Sequence, residues 1–144
     1  MPKGTSTFTP VILDGDRAAR VEVIARCKYK FSDDAGAIGD INLFGEAAIP
    51  SGAVIIEAGL DVIVAPTSGG APTVALKIEG AGDLQAAAAI SGAPWSTTGR
   101  KNLIPQGFAT SVKTTAARDV VMTIATATLT AGEFDVYLKY LVPA

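Results

Sequence analysis

The sequence of 144 residues predicts an all-β protein, an antiparallel sandwich or barrel of about eight strands with one short helix. Apolar residues recur at every second position in several segments, which is typical of strands that bury one face. Turns that contain glycine and proline separate these segments. A single run of helix-forming residues, 83–90, interrupts the pattern. A chain of this length forms one domain whose core is stable without disulfides.

Residues 1–19 carry little periodicity and include Pro2, Gly4 and Pro10, so we expect an extended arm with a short strand at 11–13. Two interpretations stay open. The arm is either a frayed terminus, the commonest state of chain ends, or a segment that becomes ordered on a neighbouring subunit. The sandwich domain then comprises residues 20–144.

Residues 20–31 form the clearest single strand. Apolar residues alternate with mostly basic ones, and Ile24 is the exception on the basic face. That face is interpreted as a solvated outer face or as a docking surface for an acidic partner. The residues predicted to point inward are Val21, Val23, Ala25, Cys27, Tyr29 and Phe31.

A short strand at 41–43 and a long strand at 53–66 follow. The long strand is apolar on both faces, which suits a central position, and Gly59 in its middle indicates a bulge or a bend. A strand at 73–79 comes next, and we expect it to form a hairpin with 53–66. The inward face predicted for the long strand consists of Val54, Ile56, Ala58, Leu60, Val62 and Val64.

Residues 83–90 read DLQAAAAI and predict the short helix. Asp83 is the expected N-cap, and Gly92 and Pro94 follow the expected end. At this length the helix must pack on the sheet, because it is marginal alone.

The segment 93–118 is irregular, with weak strands expected near 103–104 and 110–114. Trp95 and Phe108 are its large apolar residues. Each is interpreted either as a plug in the core or as an anchor at an interface, where tryptophan is enriched.

Residues 119–141 carry the strongest pattern and are interpreted as a β-hairpin. The turn at 130–132 contains Gly132, which supplies the positive φ that a short hairpin loop needs. The alternating apolar residues of the two arms are Val120, Met122 and Ile124, then Phe134, Val136, Leu138 and Tyr140.

Composition argues against several functional classes. The chain contains no histidine, so the common histidine-dependent catalytic and metal sites are absent, and we expect no enzyme activity, metal or cofactor. Cys27 is the only cysteine, so no internal disulfide forms. The net charge of −2 argues against nucleic-acid binding. We expect neither a membrane span nor a secretory signal. The low content of charged residues favours burial in a larger assembly.

Residues 45–142 resemble the small head decoration, or cement, proteins of tailed bacteriophages. The resemblance lies in the run IPSGAVIIEAGLDVIVAP, the strand TVALKIEG, the middle segment DLQAAAAISGAPW and the ending DVVMTIATATLTAGEFDVYLKYLVPA. It implies a jelly-roll-like β-sandwich. It also implies a virion protein, made in the host cytoplasm, that binds the outer capsid surface and bridges major capsid subunits.

The resemblance further implies that the protein associates with itself as a homodimer or homotrimer. The arm and the irregular segment are the expected contacts with the shell or a neighbouring subunit. The residues assigned to these contacts are Phe8, Val11, Ile12, Trp95, Arg100, Lys101 and Phe108.

The alternative function is a carbohydrate-binding or adhesive module of a phage tail or surface structure. It predicts an exposed aromatic platform with Trp95 and Tyr137 turned outward.

Overall fold

A computed structural model of the chain describes residues 5–8, 12–13, 17–18 and 22–142, and of the first three stretches it describes the backbone alone. The fold is a sandwich of two antiparallel sheets that enclose one apolar core. The all-β prediction is therefore confirmed. No helix in the described part of the chain is long and apolar enough to span a membrane.

The described residues form twelve strands, one single-turn helix and one 3-10 turn. The strands are β1 Thr5–Phe8, β2 Ile12–Leu13, β3 Arg17–Ala18, β4 Glu22–Lys30, β5 Gly39–Asn42, β6 Val54–Thr67, β7 Thr73–Lys77, β8 Gln85–Ala89, β9 Gly99–Gln106, β10 Val112–Lys113, β11 Val121–Ala125 and β12 Ala131–Leu141. The helical turn α1 is Phe31–Asp34, and the 3-10 turn is Phe108–Thr110.

The larger sheet is arranged around β12. Its strands follow the order β1-β4-β12-β6-β10, and β9 also pairs with β6. β12 pairs along its length with β4 on one side and with β6 on the other. The smaller sheet has the order β5-β11-β7-β8, and β2 and β3 form a separate ribbon. The described part of the predicted arm thus includes β1, which pairs with β4 of its own chain.

The predicted hairpin at 119–141 is wrong. β11 pairs with β5 and β7 in the smaller sheet, whereas β12 lies in the larger one. The connection between them passes from one sheet to the other instead of turning back within one sheet. The predicted hairpin of 53–66 with 73–79 fails in the same way, since β6 and β7 lie in opposite sheets. Alternation identifies the apolar face of a strand. It does not specify whether the next strand in the sequence pairs beside it in the same sheet or packs against it from the opposite sheet.

The predicted inward faces of β4, β11 and β12 are confirmed for the described residues. Tyr29, Met122 and Phe134 are among the fully buried side chains. In β6 the prediction is correct only for Ala58, Leu60 and Val62. The register of β6 against β12 shifts on either side of Gly59, between Ile55 and Glu57 and between Val62 and Val64, while Gly59 itself pairs regularly with Tyr137. The phase of the strand changes at these two shifts, so that Ile55 is buried and Val64 is exposed, against the prediction.

The predicted helix at 83–90 is also wrong, because its residues form β8 on the edge of the smaller sheet. The helix preference of alanine is worth only tenths of a kcal/mol per residue, while pairing with β7 supplies backbone hydrogen bonds. Asp83 does not cap a helix. Its carboxylate accepts hydrogen bonds from the backbone N–H groups of Ile78, Glu79 and Gly80, and so closes the turn between β7 and β8.

Trp95 lies at the centre of the core. Its side chain is fully buried, its ring packs 5.1 Å from that of Phe134, and its indole N–H donates to the carbonyl of Val74 at 3.2 Å. Tyr29 packs on the other side of Phe134 at 5.3 Å. The indole therefore joins the two sheets through one aromatic contact and one hydrogen bond.

Gly132 is expected to be sensitive to substitution, although it lies in a bulge of β12 and not in a hairpin loop. Its φ is +144°, and a Cβ atom there would lie 3.1 Å from the Cα atom of Pro66. We expect Gly132→Ala to lower the free energy of unfolding by about 1–3 kcal/mol. Urea denaturation measures this change.

Gly69→Ala is the matched control, because a Cβ atom at Gly69 meets nothing within 4 Å. Its effect should stay within about 0.5 kcal/mol. Equal losses of stability in the two variants would contradict the assignment of strain to Gly132.

Candidate functional site

The outer face of the larger sheet is a grid of polar residues set by strand register. One row across β4, β12, β6 and β9 holds Lys28, Asp135, Asp61 and Arg100. Two carboxylates thus lie opposite one another between two basic residues. Such a row could not be derived from the sequence, because its members come from four distant segments.

Ion pairs within the sheet engage part of the predicted basic face of β4. The Lys28 amine donates to Glu133 at 2.7 Å and lies 3.7 Å from Asp135. This hydrogen bond raises the pKa of Lys28 and lowers the pKa of the Glu133 carboxyl. Lys139 pairs with Glu57 at 3.5 Å in the same way. These charges are directed at neighbours in their own sheet.

Tyr137 projects from this face beside a glycine. Its register partner on β6 is Gly59, and its side chain is 38% exposed. Two shallow hollows of about 220 and 310 Å³ share Tyr137, Gly59 and Asn102 in their linings. The sequence predicts a bulge or bend at Gly59 and an outward-facing Tyr137, but the pairing of these two residues depends on the register of distant strands.

The segment that runs from β9 into the 3-10 turn exposes large apolar side chains at the edge of the larger sheet. Phe108 is 71% exposed, and Ile104 is 44% exposed. Arg100 is exposed at the start of the same strand. We call Arg100, Ile104 and Phe108 the β9 strip.

The residues predicted from the sequence as contacts fall into three groups. Arg100 and Phe108 lie on the β9 strip, and Lys101 directs its amine to the carbonyl of Thr97 at 2.5 Å. Trp95 is buried, so it fits the interpretation as a core plug and not as an exposed anchor or as part of an aromatic platform. The third group lies outside the described residues or has no described side chain, and consists of Phe8, Val11 and Ile12.

The outer face of the smaller sheet has a different character. A hollow of about 430 Å³ is lined mainly by small residues of β7, β8 and the turn between them. Lys77 and Asp40 lie at its rim, 4.0 Å apart, and Thr123 donates to Asp40 at 2.7 Å. Within the described ranges, no group of three or more His, Cys, Asp or Glu residues is placed to hold a metal ion.

The half-buried carboxylate of Glu79 joins the segment after β7 to the segment before β11. Arg118 donates to Glu79 through Nε at 2.8 Å and through a terminal nitrogen at 3.1 Å. The backbone N–H and the hydroxyl of Thr115 donate to the same carboxylate at 3.0 and 2.6 Å. These bonds to the charged form lower the pKa of Glu79 to about 2, with the Arg118 bond as the largest cause.

The sequence matches no protein-family model and no curated protein. The fold, however, is similar to chains in three capsid structures. A chain of the acidic stable capsid structure of Helicobacter pylori bacteriophage KHP30 superposes with a TM-score of 0.61 at 16% identity, covering 98% of this chain and 94% of that one. A chain of the cyanophage Pam1 capsid asymmetric unit gives 0.61 at 14% identity, covering 92% and 93%.

A chain of the capsid of Ralstonia phage GP4 gives a TM-score of 0.57 at 21% identity, covering 84% of this chain and 85% of that one. The three likenesses extend over most of each chain. At these identities they define a shared fold, which this chain has in common with components of bacteriophage capsids.

The Glu79–Arg118 pair predicts a specific dependence of stability on pH. The pKa of Glu79 is lowered from 4.5 to about 2 in the folded protein. Its contribution to stability is therefore fully present above about pH 4.5 and is lost as the pH falls through about 2. Thermal melts of wild type and Glu79→Gln across this range measure the contribution.

We expect Glu79→Gln to be less stable than wild type at neutral pH, with a difference that shrinks as the pH approaches 2. A difference in melting temperature that stays constant over the whole range would show that the carboxylate charge contributes nothing.

Proposed function

We propose that this protein is a structural component of a bacteriophage virion that binds the outer surface of the capsid and bridges adjacent major capsid subunits. The likeness of its fold to chains of three phage capsid structures, over 84–98% of its length, carries the proposal. The sequence resemblance to head decoration proteins supports the same role, through motifs that lie in β6, β7, β8, β11 and β12.

The mechanism is stabilisation by selective binding. A protein that binds the assembled shell, and not its separated subunits, lowers the free energy of the shell by the free energy of binding. Each bridging copy adds to this effect, so many weak contacts hold the head together against the pressure of packaged DNA. This mechanism needs a rigid body with contact surfaces and requires no catalytic group.

The β9 strip is the proposed contact with the shell. A phenylalanine that is 71% exposed, next to an isoleucine that is 44% exposed, is costly to leave in water and is typical of an interface anchor. Arg100 adds a side chain that is enriched at protein interfaces. The partner in this proposal is the major capsid protein, and the arm at 1–19 adds a second contact.

We also propose that the protein associates with itself as a dimer or trimer. The same proposal includes no nucleic-acid partner and no membrane partner. The low charged fraction of 18% supports a protein that works within an assembly. We further propose that the protein has no enzymatic activity, since a sequence without histidine lacks the commonest general base.

Phe108→Ala tests the β9 strip. If Phe108 anchors the protein on the shell, truncation should weaken binding by about 2 kcal/mol, roughly thirtyfold. Co-sedimentation of the purified variant with heads that lack the protein measures the affinity.

Ile38→Ala is the matched control, because Ile38 is also a large exposed apolar residue, at 57%, but it precedes β5 in the smaller sheet. It should bind heads as wild type does. Unchanged binding of Phe108→Ala, or equal loss in both variants, would overturn the assignment of the strip.

Removal of residues 1–10 tests the arm separately. Binding to heads should fall if the arm contacts the shell, and undiminished binding would exclude it. Because the deletion also removes β1 from the edge of β4, the melting temperature of the truncated protein must be measured alongside.

A further inference from the structure

The hollows that flank Tyr137 have the composition of a small ligand site. They lie on the outer face of the larger sheet, and the second shares Arg100 with the β9 strip. Gly59, Tyr137 and Asn102 line both hollows. The first hollow also contains Ile24, which is 53% exposed, and the second is bordered by Arg100.

Gly59 creates this space. Its register partners on the two neighbouring strands are Tyr137 and Asn102. Any other residue at this position of a central strand would place a side chain between Tyr137 and Asn102. A Cβ atom at Gly59 would meet only the carbonyl oxygen of Lys101, at 3.7 Å, and its φ lies outside the positive region. The backbone therefore does not require glycine here, and its effect is to leave the hollow open.

The polar groups around the hollow divide into two kinds. Glu57 and Lys139 pair with one another at 3.5 Å, so their charges cancel at the rim. The side chains of Asn102 and Arg100, in contrast, have no hydrogen-bond or ion-pair partner in the described part of the chain. An amide and a guanidinium thus remain able to bind a ligand beside an aromatic ring.

We propose that this site binds one ring of a saccharide, stacked on Tyr137 and hydrogen-bonded by Asn102 and Arg100. A sugar ring has an apolar face of C–H groups, which packs on an aromatic ring, and a rim of hydroxyls, which needs donors and acceptors. The hollow of about 310 Å³ lies at the lower end of the range for ligand pockets and the hollow of about 220 Å³ lies below it, which suits a single ring and not a larger molecule.

Several features favour a saccharide over a protein side chain as the occupant. The hollows are shallow and open to solvent, whereas an interface anchor is normally enclosed in a desolvated pocket. Glu57 and Lys139 pair with one another, and Arg100 is left with a guanidinium that can donate to the oxygens of a sugar. The carbohydrate-binding alternative predicted from the sequence required two exposed aromatic rings, Trp95 and Tyr137. Only Tyr137 is exposed, so it is the single stacking ring of the proposed site.

Saturation-transfer NMR with the full-length protein tests the proposal, with glucose, galactose, mannose and N-acetylglucosamine as the sugars. Wild type should bind at least one of them. Tyr137→Ala and Gly59→Val should each weaken that binding by at least about tenfold, the first by removing the stacking ring and the second by filling the hollow. Asn102→Ala provides a further variant at an exposed position that should keep the fold and should also weaken binding.

Ala75→Val is the matched control for Gly59→Val. It introduces the same side chain beside the hollow on the opposite sheet, and it should leave binding of the sugar unchanged. Melting temperatures establish that the variants are folded.

The proposal is overturned if wild type binds none of the four sugars, or if Tyr137→Ala, Gly59→Val and Asn102→Ala bind as wild type does. If Gly59→Val lost binding to heads while wild type bound no sugar, the hollow would be a protein contact and the saccharide proposal would fail. A wild-type protein that binds sugar but not heads would leave this site standing and would contradict the capsid function.

Discussion

Burial of the inner face of β12 is the constraint on which the rest of the structure depends. This strand lies in the middle of the larger sheet, and its inward residues are almost completely buried. Neighbours on both sides supply its hydrogen bonds, but only the opposite sheet can cover its apolar side chains. Trp95 provides the central contact, since its ring packs on Phe134 and its N–H binds the backbone of β7. Loss of this contact would open the core between the two sheets.

The same sheet has an outer face on which charge is largely balanced between neighbours. Lys28 with Glu133, and Lys139 with Glu57, pair across adjacent strands. Exposed pairs of this kind contribute little to stability, typically about 0–1 kcal/mol each. Their larger consequence is that the face carries no strong charge of one sign. Its recognition properties then depend on the few groups that stay unpaired, and on the apolar residues at its edge.

The candidate contact surfaces lie where regular pairing ends. β9 leaves β6 beyond Gln106, and the 3-10 turn that follows presents Phe108 to solvent. Within the sheet, Gly59 of the central strand β6 leaves a hollow beside Tyr137 of β12. Both features combine a rigid sheet with one exposed aromatic ring, an arrangement that loses little conformational entropy when a partner binds.

Prediction from the sequence succeeded where the evidence was local. The inward faces of β4, β11 and β12 and the exposure of Ile24 follow from alternation and from the properties of single residues. It failed for residues 83–90, where the helix preference of alanine was outweighed by pairing with β7. Of the residues assigned to contacts, Arg100 and Phe108 are exposed and Trp95 is not, because size and hydrophobicity alone do not distinguish a core plug from an anchor.

The sequence by itself determined that this protein is a β-sandwich with one dry and one wet face on most strands, and that its chemistry excludes histidine-dependent catalysis. The tertiary structure decided which sheet each strand joins, that the two strands of residues 119–141 belong to opposite sheets instead of forming a hairpin, and that Tyr137 lies beside Gly59. The physical reason is that the side-chain period of a strand is encoded in adjacent residues, whereas strand partners and register depend on contacts between distant segments.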